Sequence, residues 1–298
     1  MIYDSFATLH PIVSFTYFAA VLTFSMFFMH PIFQGIALIS AIAYSIVIKG
    51  IKKGLKFNIL YMLPMLIFMA VLNPMFNHEG VTILYYLKSG NPITLESILY
   101  GIAAAIMFIT VIIWFSSYNE VMTSDKYMYL FGRIIPSLSL IFSMVLRFVP
   151  RYLEQIKVIS NAQRCIGRDV SQGNIIRRAK NGIKILSIMT TWALENAIET
   201  ADSMRSRGYG LPGRTSFSLF RFDNRDKIVF SAILSLIGVV LIGAFKGENT
   251  IKFFPAIKST QITGFSILIY ISYLALCMMP VIINIQEAIQ WKHIESKI

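Results

Sequence analysis

The chain has 298 residues, of which 56% are hydrophobic and 14% are charged, and its mean hydropathy is +0.65. Soluble domains carry about 25% charged residues, so the composition excludes an ordinary water-soluble domain and indicates an integral membrane protein. The net charge of +12 therefore concerns the placement of basic residues relative to the membrane, and no nucleic-acid partner is expected. Cys165 and Cys277 lie far apart in the sequence and indicate neither a disulfide framework nor a metal site.

Six segments are long and apolar enough to cross about 30 Å of hydrocarbon as helices. They lie near residues 12–29, 32–48, 58–76, 95–116, 228–245 and 264–285. His30-Pro31 separates the first two, because proline lacks a backbone N–H and restricts the residue before it. No basic region with a small-residue cleavage site precedes the first segment, so we expect this segment to be retained as a span.

The distribution of lysines and arginines predicts the orientation of these spans. The second connection carries four lysines, Lys49, Lys52, Lys53 and Lys56. We therefore place this connection in the cytoplasm. Alternation then puts residues 77–94 and 246–262 outside and residues 117–227, which contain most of the basic residues, inside. Both termini are expected to be cytoplasmic, in a multi-pass membrane protein.

The inner segment between the fourth and fifth spans is expected to contain two long helices. The stretch "IIPSLSLIFSMVLRFVP" (134–150) is apolar, short and bounded by prolines, so it could lie along the membrane or dip into it. A helix is predicted from about Arg151 to Gly167, followed by the turn-rich "GRDVSQGN" and a longer helix from about Ile175 to Arg207. The chain is thus divided into a four-helix transmembrane region (1–133), a cytosolic helical region (134–227) and a transmembrane helix pair (228–298).

Both predicted cytosolic helices end in basic residues and a glycine. Taken alone, such ends are ordinary helix C-termini, because the helix dipole favours a cation there by about 0.3–1 kcal/mol and glycine ends a helix. The chain shows no energy source of its own, since it contains no phosphate-binding loop and almost no acidic residues in its spans. An exposed arginine at a rigid helix end could instead enter an acidic groove on another protein and bond a carboxylate bidentately.

The sequence shows no catalytic, cofactor or metal site. It has no H-E-x-x-H motif, and His78-Glu79 is isolated in an outer loop. One alternative is a membrane-embedded transferase acting on anionic substrates, which would require an acidic, metal-binding pair near the inner face. Another alternative is a membrane scaffold without a role in transport.

The segment "AIETADSMRSRGYGLPGRTSF" (197–217), with the earlier "AQRCIGRD" (162–169) and the six-span layout, resembles the transmembrane T component of energy-coupling factor (ECF) transporters. The similarity extends over essentially the whole chain and is most specific at residues 195–215. The resemblance implies an all-α membrane protein with about six transmembrane helices and two cytosolic coupling helices. These helices would dock through Ala-Arg-Gly-type motifs on two ABC-type ATPases, identical or not, and would serve a substrate-binding S-type membrane subunit. The chain itself would be non-catalytic, would hold no cofactor, and would support vitamin or transition-metal uptake.

The second motif of the family maps onto Ser206-Arg207-Gly208, with serine in place of alanine and Arg205 beside it. If this helix couples the ATPases to transport, its small residues are packing positions for the substrate-binding subunit, because small side chains let another helix approach closely. These residues are Ala193, Ala197 and Ala201. They belong to a face with helical spacing that also includes Ile183, Leu186, Thr190 and Met204. The same alanines could instead pack the two coupling helices on each other.

The first motif departs from the family pattern. Cys165-Ile166-Gly167 stands where the family commonly has Ala-Arg-Gly, so Ile166 occupies the arginine position between Arg164 and Arg168. Either Ile166 acts as an apolar plug, or the two arginines reach round from the opposite side of the helix. Such an unequal pair of docking ends would suit two non-identical ATPases.

Overall fold

A computed structural model describes residues 4–86, 92–211, 220–259 and 263–295. Residues 212–219, which include part of the segment that carries the resemblance, lie outside the described residues. The chain forms two compact units, unit 1 from residues 1–127 with 220–298 and unit 2 from residues 128–219. The described residues form nine α-helices, α1 (Pro11–Phe27), α2 (Pro31–Lys49), α3 (Ile51–Phe76), α4 (Leu95–Val121), α5 (Ser124–Ile134), α6 (Pro136–Cys165), α7 (Ile175–Ser206), α8 (Asn224–Phe245) and α9 (Gly264–Glu295). The predicted all-α membrane fold is confirmed.

Helices α2, α4, α8 and α9 are long and apolar enough to cross a membrane, and α1 and the part of α3 at Pro64–Phe76 are shorter apolar helices. These six helices correspond to the six predicted spans. The predicted break at His30-Pro31 is the start of α2, where Pro31 is the first helical residue. The His30 Nδ1 accepts the backbone N–H of Ile32 at 3.4 Å. His10 caps α1 in the same way.

The connection between α2 and α3 is shorter than the sequence indicates. Gly50 alone separates the two helices, with a φ of +79°. Lys52, Lys53 and Lys56 were expected in this connection but belong to the first turns of α3. A left-handed glycine reverses the chain without the steric cost that other residues would meet, so no longer loop is needed.

The core of unit 1 is aromatic and centres on α1. Tyr17 and Phe18 of α1, Tyr44 of α2, Trp114 of α4 and the preceding Phe6 are all fully buried. Their rings meet mostly edge to face at centroid distances of 5.0–6.4 Å, an arrangement that stabilises aromatic pairs beyond the area they bury. This cluster joins α2 and α4 to α1.

Polar contacts gather the chain start and several helix ends at one end of unit 1. Asp4 accepts hydrogen bonds from the Tyr44 hydroxyl at 3.0 Å and from the Asn284 Nδ2 at 2.8 Å. Arg225 forms an ion pair with Glu287, and the Lys126 Nζ donates to the carbonyl oxygen of residue 7. The last turns of α2 and α9 therefore lie together with the first turns of α5 and α8, and we call this the N-terminal end of unit 1.

The opposite end of unit 1 carries two short antiparallel hairpins. Strands β1 (Ile83–Tyr86) and β2 (Pro92–Thr94) form one, and β3 (Ile251–Lys252) and β4 (Lys258–Ser259) form the other. Glu96 at the start of α4 accepts the backbone N–H of Thr82 at 3.1 Å, and Ser266 at the start of α9 donates to Glu248 at 2.5 Å. The apolar helices thus alternate in direction, as the sequence predicts.

Unit 2 is built on an antiparallel pair of helices, α6 and α7. Ile159 of α6 packs with Ile185 and Met189 of α7 in a small buried cluster. Farther along, Tyr152 of α6 meets the Trp192 ring at a centroid distance of 5.5 Å. With 30 and 32 residues, the helices are about 45 and 48 Å long. Because they run antiparallel, their C-terminal ends lie at opposite ends of the pair.

Two features of this region differ from the sequence-based interpretation. Helix α5 was not predicted. The apolar stretch 134–150 and the helix expected from Arg151 form one continuous helix, α6, with Pro150 inside it. The stacked rings of Phe148 and Tyr152, 5.8 Å apart, bridge the proline, where one backbone hydrogen bond is necessarily absent.

Candidate functional site

The C-terminal end of α7 is a Schellman motif with Arg207 as the C-cap residue. Gly208 has a φ of +80°, and its N–H donates to the carbonyl of Arg205 at 3.0 Å. The N–H of Tyr209 donates to the carbonyl of Met204 at 3.0 Å. This pattern satisfies two of the carbonyls that a helix end leaves free. It fixes the backbone that carries Arg207.

The C-terminal end of α6 has the same geometry. Gly167 has a φ of +75°, and its N–H donates to the carbonyl of Arg164 at 3.0 Å. The N–H of Arg168 donates to the carbonyl of Gln163 at 2.9 Å. Ile166 is the C-cap residue. Ile166 and Arg207 therefore occupy the same position in the two motifs, that of the C-cap residue. The sequence motif likewise assigns Ile166 to the arginine position.

The cap geometry alone does not mark a docking site. The C-terminal end of α8 forms the same motif, with Gly247 at a φ of +78° and its N–H donating to the carbonyl of Ala244 at 3.0 Å. What distinguishes the ends of α6 and α7 is the set of side chains they expose. Arg205, Ser206 and Arg207 are exposed at one end, and all residues from 164 to 168 are exposed at the other.

The positive charge at the α6 end is partly compensated within the chain. The Arg164 Nε lies 3.4 Å from the Asp169 Oδ2. Asp169 also accepts the Ser171 backbone N–H at 2.9 Å and the Ser171 hydroxyl at 2.7 Å. These hydrogen bonds from Ser171, together with the nearby Arg164, lower the pKa of Asp169 and keep it ionised. The Ile166 side chain is 62% exposed, so the tip of this end is apolar.

Among the described residues, the positive charge at the α7 end has no such ion-pair partner. Within the part of the chain that the structure describes, ion pairs join only Arg164 to Asp169 and Arg225 to Glu287. Arg207 lines an open cleft of about 360 Å³ together with Arg147 of α6. Arg147 carries no sequence signal of its own, because sixty residues separate it from Arg207 and only the antiparallel packing brings the two together.

The alanine face of α7 is open. Ala193 is half-buried, and Ala197 and Ala201 are exposed. The contact with α6 is made by other residues of α7, chiefly Ile185, Ile188, Met189 and Trp192. The alanines therefore do not form the packing surface between α6 and α7. They lie instead on a face that also exposes the larger apolar side chains Ile183, Leu186, Leu194 and Ile198.

The metal-dependent alternative finds no support among the described residues. No group of three or more histidine, cysteine, aspartate or glutamate side chains in this part of the chain could hold a metal ion.

Comparison with known proteins relates residues 11–219, more than two thirds of the chain, to the CbiQ family, described as cobalt transport protein. Similar curated proteins bear the name energy-coupling factor transporter transmembrane protein EcfT. The protein from Lactobacillus helveticus is 37% identical over 109 residues, which are 36% of this chain and 39% of the relative. The protein from Brevibacillus brevis is 38% identical over 113 residues, which are 38% of this chain and 42% of the relative. The protein from Lacticaseibacillus paracasei is 34% identical over 109 residues, which are 36% of this chain and 41% of the relative. The chain thus matches about two fifths of the length of these curated relatives.

Proposed function

The chain belongs to the cobalt transport protein family, and from this membership we propose that it is the energy-coupling transmembrane subunit of an ECF-type importer. In this role it transmits ATP binding and hydrolysis by partner ATPases to a substrate-binding membrane subunit, for uptake of a vitamin or a transition-metal ion. The chain itself is non-catalytic. The observation that carries the proposal is the α6–α7 pair, which presents two capped, exposed helix ends at opposite ends of one antiparallel hairpin.

The orientation follows from charge. The N-terminal end of unit 1 carries Lys49 and the three lysines that begin α3. Residues 128–219 contain thirteen lysines and arginines against five aspartates and glutamates. By the positive-inside rule, both belong to the cytoplasmic side of the bacterial plasma membrane. The chain start and the end of α9 lie at that same end of unit 1, so both termini are cytoplasmic.

The two helix ends dock on two ATP-binding subunits. Arg207 offers a planar, permanently charged group that can pair with a carboxylate in two parallel hydrogen bonds. Ile166 offers an apolar tip beside an arginine that already has a carboxylate partner. Docking sites of such different chemistry suit two non-identical ATPases, because each end discriminates against the groove built for the other.

The open alanine face of α7 receives the substrate-binding membrane subunit. Ala197 and Ala201 are exposed on a face that also exposes the large apolar side chains of Leu194 and Ile198, and small residues allow close helix approach. When the two ATPases close around ATP, they move the ends of α6 and α7, and this face passes the movement to the substrate-binding subunit. Substrate choice then belongs to that subunit.

Capture of ATP-binding subunits through a tagged chain tests the proposal. The wild-type chain, extracted in mild detergent from its own host, is expected to bring down two ATP-binding subunits. Arg207→Glu should lose one of them and Ile166→Glu the other, while Lys184→Glu, an equal charge change at an exposed site on α7, should lose neither. If Arg207→Glu and Ile166→Glu each lost both ATP-binding subunits to the same extent, the two helix ends would not be specific for different subunits. If the wild-type chain captured no ATP-binding subunit, the coupling role would be contradicted.

A further inference from the structure

The cleft at the end of α7 is formed by two helices. Leu140, Ser143, Met144 and Arg147 of α6 line it together with Met204 and Arg207 of α7. The guanidinium carbon of Arg147 lies 5.3 Å from the centre of the neighbouring Phe148 ring, a cation–π distance. Two arginines from different helices thus line one open cleft.

No acidic side chain lines the cleft in the part of the chain that the structure describes, since its six described lining residues include neither aspartate nor glutamate. Two like charges held near each other repel, and an anion between them relieves this repulsion. The electrostatics of the cleft therefore favour an incoming negative group.

The geometry points to Arg147 as a second docking residue. We propose that Arg147 and Arg207 together receive an acidic side chain of one ATPase subunit, with the neighbouring apolar side chains contacting the protein surface around it. This inference rests on the proposed docking role of Arg207 and deepens it, because the docking point becomes a cleft shared by α6 and α7 and not the tip of α7 alone.

The apolar part of the cleft favours a protein partner. Met144 and Met204 are half-buried, and unbranched methionine side chains adapt to irregular protein surfaces. The combination of two arginines with two methionines in one cleft matches the usual anatomy of a protein interface, in which charged contacts surround an apolar centre. The α6 end also carries an open cleft lined by two arginines, Arg164 of α6 and Arg177 of α7, but Asp169 lines it too and already pairs with Arg164.

A shared cleft also has a mechanical consequence. A carboxylate held by Arg147 and Arg207 would connect the start of α6 to the end of α7. Movement of that ATPase would then pull both helices at once.

A double-mutant cycle tests the shared cleft. The affinity of the purified chain in neutral detergent for the ATP-binding subunits that co-purify with it is measured for the wild type, Arg147→Ala, Arg207→Ala and the double variant. Each single variant is expected to weaken binding by about tenfold or more. Because both arginines hold one acidic group, the double variant should lose less than the product of the two single losses. Arg147→Lys should restore part of the affinity, since lysine keeps the charge without the bidentate fork.

Lys157→Glu provides the control, because Lys157 is exposed on α6 outside the cleft, and it should leave the affinity unchanged. An unchanged affinity in Arg147→Ala, or strictly multiplicative losses, would overturn the shared cleft while leaving the docking role of Arg207 intact. An unchanged affinity in Arg207→Ala would overturn the docking proposal itself. A loss in Arg147→Ala that appears only in bilayers with anionic lipid, and not in neutral detergent, would assign Arg147 to lipid headgroups and would also overturn the inference.

Discussion

Substitution of Gly208 tests whether the glycine that ends α7 positions Arg207 for docking. Gly208 has a φ of +80°, a conformation that costs most L-residues about 1–2 kcal/mol but that asparagine tolerates. A Cβ at this position would lie 3.1 Å from the Leu211 Cδ1. That atom is the end of a flexible side chain and can move. The free-energy cost of the substitution therefore comes mainly from the positive φ of the backbone.

The expected order of ATPase affinity is wild type, then Gly208→Asn, then Gly208→Ala, then Gly208→Val, the β-branched residue that adopts a positive φ least readily. A cost of about 1.4 kcal/mol corresponds to tenfold. Gly208→Val should therefore weaken ATPase binding by about tenfold or more if docking requires the native cap. Gly208→Asn should stay within about threefold of the wild type, because it retains the left-handed conformation.

The assay is the affinity of the purified variants for their ATP-binding subunits, together with hydrogen exchange of the backbone amides of residues 200–211. The variants that weaken binding should also lose protection of the Tyr209 amide, which donates to the carbonyl of Met204 in the cap. Equal affinities for Gly208→Asn and Gly208→Val would refute the reasoning, because the glycine would then contribute nothing through its backbone conformation.

Three further outcomes follow from the structure. Phe6→Ala should lower the free energy of unfolding by about 3–5 kcal/mol, because Phe6 is fully buried; thermal unfolding in detergent measures this, with Phe27→Ala, 75% exposed, as the control. Burial lowers the pKa of Lys126 to about 8, below that of a lysine in the unfolded chain. Above about pH 8 the folded chain therefore binds fewer protons than the unfolded chain. Thermal stability should then rise from about pH 8 to about pH 10, and Lys126→Met should remove the rise. Ala197→Leu should leave ATPase capture unchanged but reduce capture of the substrate-binding subunit.

Much of the fold was predictable from local signals in the sequence. Helix α7 was expected at about Ile175–Arg207 and is found at Ile175–Ser206, because Asn174 caps its start and Gly208 ends it. Both signals act through hydrogen bonds within a few residues. The six apolar helices were predictable for a similar reason, since the length and hydropathy of each segment are local properties.

The errors arose where local signals conflicted with packing. The lysines after Gly50 were interpreted as a loop because they are polar, yet one left-handed glycine suffices for the turn and the lysines continue as helix. Pro150 was interpreted as a helix boundary, yet the backbone remains helical through it. In both cases the tertiary arrangement outweighs the propensity of a single residue.

The candidate site was partly predictable. The family resemblance placed Arg207 and Ile166 at two helix ends, and the structure gives both positions the same cap geometry. Arg147 carried no local signal, because its relation to Arg207 depends on the antiparallel packing of α6 and α7. The charge compensation of Arg164 by Asp169 likewise depends on the turn that follows α6.

Native mass spectrometry of the complex captured through a tagged chain tests the coupling role most directly. Captured from its own host membranes, the chain is expected to appear with two ATP-binding subunits of different mass and one additional membrane subunit. With Arg207→Glu, the complex is expected to keep its membrane subunit but to lose one ATP-binding subunit. A chain that appears alone, or with membrane proteins but without ATP-binding subunits, would contradict the proposed function.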